Sequence, residues 1–115
     1  MLEINPMKPV LTLLFFIFVF NTAIADTKQH DFKGAAVAEV YKEASGDKLW
    51  IYRFDPVDYK PESDSRPAVV FFFGGGWNGG TVGQFEQHAK YLAARGMVTF
   101  VADYRVKQRQ KTDPD

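Results

Sequence analysis

The chain has 115 residues, 46% of them apolar and 24% charged, which suffices for one small domain of ordinary globular composition. Fourteen basic residues balance fourteen acidic ones, so charge points neither to a nucleic-acid surface nor to an acidic disordered tail. Cysteine is absent, which excludes disulfides, thiol nucleophiles and thiolate metal sites, and His30 and His88 lie too far apart in sequence to suggest a metal cluster.

The amino terminus reads as a targeting segment. Val10 to Phe20 is apolar apart from Thr12, follows Lys8 and precedes Ala23-Ile24-Ala25, the small-x-small pattern of a signal-peptidase site. A signal peptide over residues 1–25, cleaved after Ala25, is expected, with export to a periplasmic or extracellular location. The apolar run is about half of what spans a bilayer, so no stable membrane anchor is expected after cleavage. Glu3 weakens the basic flank, and a start at Met7 would give a cleaner one; the choice between Met1 and Met7 stays open.

Asp26 to Lys33 is polar and reads as a loose leader. Ala36 to Tyr41 and Leu49 to Phe54 read as two strands joined by Ser45-Gly46-Asp47-Lys48, which predicts a β-hairpin. In the second strand Trp50, Tyr52 and Phe54 alternate with Leu49, Ile51 and Arg53, an aromatic face that must pack on something. Pro56 ends it, and Asp58 to Pro67, with three acids, two bases and two prolines, is an exposed connector. Ser63 and Ser65 belong to that connector and have no elbow of a nucleophile around them.

Val69 to Phe73 is an apolar run with no polar residue on either alternate face, the pattern of a strand buried on both sides. It breaks at once into Gly74-Gly75-Gly76-Trp77-Asn78-Gly79-Gly80. A helix is expected from about Gln84 to Arg95, capped at Thr81 or just beyond, with Phe85, Ala89 and Leu92 facing the sheet and Gly96 stopping it. His88 borders that stripe as a packing residue. Met97 to Ala102 is a second apolar strand, so strand, helix and strand make a right-handed crossover unit with parallel strands. Asp103, Tyr104 and Arg105 close it in structural roles, the acid and the arginine standing on one side where they can pair or tie down the following loop; Val106 to Asp115 reads as a polar loop.

Two chemistries use a glycine turn after a buried strand. Gly74, Gly76 and Gly79 satisfy G-x-G-x-x-G, with Asp103 where a ribose-binding acid would stand. Against a dinucleotide, Thr81-Val82-Gly83 intervenes before helical periodicity begins, Trp77 stands where phosphates would approach, and a hairpin precedes the strand. No cofactor is therefore expected. The other chemistry is acyl transfer, in which fixed backbone N–H donors stabilise the oxyanion that develops when an ester carbonyl is attacked.

Phe72 to Trp77, the helix containing Tyr91-Leu92-Ala93-Ala94-Arg95-Gly96, and the strand end Ala102-Asp103-Tyr104-Arg105 together resemble the N-terminal part of an α/β-hydrolase. The similarity is to the carboxylesterase and lipase group with an HGGG-type oxyanion loop, which includes secreted acetyl and feruloyl esterases of plant polysaccharides. It runs from about Val37 to Val106. The resemblance implies a mainly parallel sheet in an α/β fold and assigns Gly75 and Gly76 as backbone oxyanion donors and Gly74 as the tight turn. It implies a small or polysaccharide-linked ester as substrate. Trp77 either shapes the pocket for that substrate or simply covers the loop.

Two departures stand out. Phe73 occupies the position usually held by histidine, so that histidine's tie to the loop is missing while the backbone donors are not. No G-x-S-x-G elbow occurs, and the acid and histidine that follow the nucleophile in this fold have no candidates. Residues 26–115 are accordingly expected to be an incomplete hydrolase domain, inactive alone, from an exported serine esterase. The rival expectation is a non-catalytic exported binding module that keeps the hydrolase start.

Overall fold

A computed structural model describes residues 29–34 and 37–113. The expected signal peptide, its cleavage site and Ala36 lie outside the described residues. β1 (Val37–Ala44) and β2 (Asp47–Phe54) pair antiparallel, with Ala44 opposite Asp47. Ser45 and Gly46 connect them at φ 54° and 85°, the two positive values that a two-residue turn needs to match the strand twist. The turn is thus shorter and both strands longer than the polar residues suggested, because Asp47 and Lys48 join the ladder. A bulge at Tyr41 shifts the register between Val40 and Lys42, and the Tyr41 hydroxyl donates to the carbonyl of Asp103 at 2.5 Å.

β3 (Ala68–Phe72) is followed by the glycine loop, a 3-10 turn over Val82–Phe85, α1 (Glu86–Ala93), β4 (Val98–Ala102) and α2 (Lys107–Gln110). The sheet order is β1-β2-β4-β3, with β2–β4 antiparallel and β3–β4 parallel. This is a mixed α/β sheet, in keeping with a partial α/β-hydrolase domain. Only the β3–β4 pair in it is parallel; the mainly parallel sheet is an expectation for a whole hydrolase domain, which four strands do not decide.

The helix is shorter than its periodicity suggested. Its first turn is 3-10, Thr81 makes no side-chain cap, and α1 begins at Glu86. Gly96, at φ 94°, ends it through bonds from Gly96 N to Ala93 O and from Met97 N to Leu92 O. Ala89 and Ala93 are buried against the sheet, and the buried Thr99 hydroxyl donates to Ala89 O at 3.0 Å.

Burial corrects two expectations. β4, between two neighbours, is the strand buried on both faces; β3 pairs on one side only, and Val70 and Phe72 are 48% and 61% exposed. Val69 and Phe71 turn toward the helix, where Phe71 stacks on Phe85 at 5.0 Å. The leader is not loose where it is described: Phe32 is buried, edge-on to Tyr52 at 4.8 Å and Phe54 at 5.5 Å, so it covers the aromatic face of β2. His30 N donates to the Tyr52 hydroxyl at 2.7 Å. The expected loop after Val106 contains one helical turn, α2. Among the described residues no helix is long and apolar enough to cross a membrane.

Candidate active site

Parallel pairing brings the carboxyl ends of β3 and β4 together, with Phe72 opposite Ala102. The residues that follow, Phe73-Gly74 on one side and Asp103-Tyr104 on the other, therefore emerge side by side, where ligand crevices form in such sheets. Phe72, Phe73, Gly74, Gly75, Gly76, Trp77 and Tyr104 line a cleft of about 490 Å³ there.

Phe73 is the floor. It is buried, its ring stacks on Tyr104 at 4.1 Å, and the Arg109 guanidinium lies 5.4 Å from the ring centroid. The Tyr104 hydroxyl donates to the Phe73 carbonyl. Stacking and this bond hold the strand end at the position where the resemblance has a histidine. Tyr104 is thus part of the cleft, beyond the structural role read from sequence.

Of the two expected uses of Asp103, it ties down the following segment and does not pair with Arg105. Its carboxylate accepts from both terminal nitrogens of Arg109, at 2.7 and 3.2 Å, and from Tyr104 N at 2.8 Å, whereas Arg105 donates to Ser45 Oγ at 3.1 Å. The α2 turn brings Arg109 round to that carboxylate, a geometry that a two-residue spacing could not reveal. An acid held this way has its acceptors engaged, which is a further mismatch to ribose binding.

The loop folds tightly on itself. Asn78 N and Gly79 N both donate to Gly75 O, at 3.1 and 3.3 Å, and Gln84 brackets Gly74 by accepting from its N–H at 3.0 Å and donating to its carbonyl at 3.1 Å. The left-handed backbone lies at Gly75, Gly76 and Trp77, with φ of 146°, 58° and 57°. The tight turn expected at Gly74 therefore falls one residue later, and Gly74 itself is held by Gln84. A Cβ on Gly75 would stand 2.2 Å from Gly79 O, so only glycine fits there. The far side of the loop is anchored on α2, whose Lys107 N and Gln108 N donate to the carbonyls of Trp77 and Asn78, both at 2.9 Å.

These bonds use the amides of Gly74, Asn78 and Gly79. Those of Gly75 and Gly76 donate to no acceptor among the described residues. Two adjacent unsatisfied donors at the mouth of an aromatic cleft are what an oxyanion can use. Trp77, 64% exposed, stands on the rim. His88 is exposed on the other side of β3, 5.5 Å from the Phe85 ring, and takes no part. Among the described residues no three His, Asp or Glu side chains come together as a metal site. Sequence reasoning missed Gln84 and Arg109; nothing but a side-chain amide ten residues after Gly74 signalled the first.

No family profile and no curated protein matches the chain. Solved structures do. The chain is similar to a thermophilic esterase from the Planctomycetes species Thermogutta terrifontis in its butyrate-bound form, with 44% identity and TM-score 0.68, covering 72% of this chain and 29% of that one. The propionate-bound form matches with 44% identity and TM-score 0.68 over 73% of this chain and 30% of that one. The form of esterase 2 from the same organism phosphorylated by paraoxon matches with 47% identity and TM-score 0.65 over 69% and 30%. The chain thus spans about 30% of the length of these esterases.

Proposed function

We propose that this chain is the N-terminal part of an exported serine carboxylesterase of α/β-hydrolase type and supplies its oxyanion loop. The supporting observation is the pair of unengaged amides on Gly75 and Gly76, at the carboxyl ends of two parallel strands, in a chain 44% identical to an esterase where they match. In this reading the right-handed crossover through α1 sets the loop, and the two N–H groups receive the carbonyl oxygen as charge develops on it. Each such donor is worth roughly 3 to 4 kcal/mol to the transition state. A donor does not attack, so the nucleophile, with its acid and histidine, comes from residues beyond this sequence.

The proposed substrates are carboxylic esters with short acyl groups, as the butyrate and propionate bound by the relative suggest. Acetyl and feruloyl esters of polysaccharides fall within this class as natural targets, and Trp77, Phe72 and Tyr104 offer aromatic surface to an acyl or alcohol group. The test is hydrolysis of p-nitrophenyl acetate, propionate and butyrate and of methyl ferulate. The 115-residue chain should turn over none of them, while the reading frame continued through its nucleophile should hydrolyse the short esters. A continued frame containing a G-x-S-x-G serine that hydrolyses no ester would sink the reading.

A second reading, an exported binding module without catalysis, draws on the uncovered Val70 and Phe72 and on a second, apolar cleft of about 480 Å³ between Phe71, His88, Tyr91 and Leu92. It gains if residues 26–115 alone are monomeric and unfold cooperatively.

A further inference from the structure

We infer that Gln84 is a positioning residue for the oxyanion loop: its side-chain amide fixes the peptide plane that carries the Gly75 N–H. The inference rests on the reading of that loop given above.

Gly74 is two residues past Phe72, the last residue of β3 paired in the ladder, and lacks a strand partner for its N–H and carbonyl. Gln84 provides both. Its Oε1 accepts from Gly74 N at 3.0 Å and its Nε2 donates to Gly74 O at 3.1 Å, the two bonds that a neighbouring strand would otherwise make. A carboxamide carries a donor and an acceptor side by side in one plane, so a single group can hold the chain on both sides of one Cα.

The consequence passes through peptide geometry. In a trans planar peptide the N–H points opposite to the C=O of the same unit. The carbonyl of Gly74 and the N–H of Gly75 share one unit, so a carbonyl pulled toward Gln84 turns the Gly75 N–H away from Gln84. The same rule acts one unit later. Gly75 O is held by Asn78 N and Gly79 N, which directs the Gly76 N–H away from that turn. The two donors are thus set by two separate devices: a local turn for Gly76 and a side chain from the following 3-10 turn for Gly75.

Glycine makes this control necessary. Gly75 at φ 146° and Gly76 at φ 58° have wide conformational freedom and no side chains with which to pack. A loop without Gln84 would keep its covalent sequence but sample other orientations of the first donor. Gln84 is itself held: its N–H donates to Thr81 O at 3.2 Å, and Val82, beside it on the 3-10 turn, is buried in the core. Asparagine is one methylene shorter and cannot span both contacts from the same backbone. Glutamate keeps the acceptor and has the donor only when protonated.

The test has two readouts. In the isotope-labelled chain, Gln84→Ala should displace the amide resonances of Gly74 and Gly75 and speed exchange of the Gly74 amide by about tenfold or more, with Gly76 moved less and Tyr52 and Val101 in the core unmoved. Gln84→Glu should show a displaced Gly75 resonance at pH 7 that returns toward its wild-type position as the carboxyl protonates near pH 4; this variant carries the test if Gln84→Ala does not fold. An unmoved Gly75 resonance in either variant at pH 7 would overturn the inference. In the reading frame continued through the nucleophile, Gln84→Ala should lower kcat about ten- to hundredfold with KM within about threefold, and an unchanged kcat would also overturn it. A wild-type enzyme that hydrolyses no ester refutes only the esterase reading, and the resonances then decide the role of Gln84 alone.

Discussion

Adjacent glycines in the loop are not equivalent. Gly75 has its Cα hydrogen directed at Gly79 O, where a Cβ would sit at 2.2 Å, while a Cβ on Gly76 would meet nothing within 4 Å. Gly76→Ala therefore adds only the left-handed penalty of about 1 to 2 kcal/mol. Gly75→Ala combines a backbone region almost confined to glycine with a clash against backbone, so a loss of roughly 3 kcal/mol or a refolded loop is expected. Urea unfolding of the two variants checks this, and equal losses would contradict the loop geometry. Trp77, also at φ 57° without being glycine, is the strained residue of the turn, held by Lys107 N on its carbonyl.

Among the elements, β2 shows how the amino-terminal segment is attached. Tyr52 bridges it to the sheet, with its ring against Phe32 and its hydroxyl accepting from His30 N. Burial raises the Tyr52 pKa above 10.0; the His30 bond and Arg109 oppose this in part, and Asp103 adds to it. Burial, with Asp103 second, also raises Tyr41. Because the folded pKa lies above the unfolded value, the neutral phenol's contribution is fully present below pH 10.0 and is lost as pH rises through the folded pKa. Tyr52→Phe should lose about 1 kcal/mol at pH 8 with the hydrogen bond. It should also have a shallower stability loss above pH 10 than the wild type, as read from thermal unfolding across that range. An identical alkaline slope would mean that the Tyr52 phenol ionises as freely folded as unfolded.

For the whole molecule, apolar exposure on the described sheet gathers at its β3 edge. α1 and Phe32 bury one face, whereas on the other Val70 and Phe72 of edge strand β3 stand open. An exposed apolar edge strand invites pairing with another chain. Residues 26–115 are expected to self-associate at micromolar concentration, and Val70→Lys, which leaves the glycine loop untouched, should shift them toward monomer in sedimentation equilibrium. A wild-type monomer under those conditions would remove this expectation and favour the binding-module reading.

The sequence by itself determined the local features: a hairpin turn within Ser45-Gly46-Asp47-Lys48, though not its two-residue length, a helix stopped at Gly96, and a glycine loop rich in unshielded amides after an apolar strand. Each follows from periodicity or from the conformational range of residues close together in the chain, which composition reports directly. Which strand is central, where the leader packs, that Asp103 pairs with Arg109 and that Gln84 brackets Gly74 were decided only by tertiary structure. These depend on groups far along the chain meeting in space, and neither hydrophobic period nor turn chemistry encodes the order of strands or the reach of a side chain across a loop.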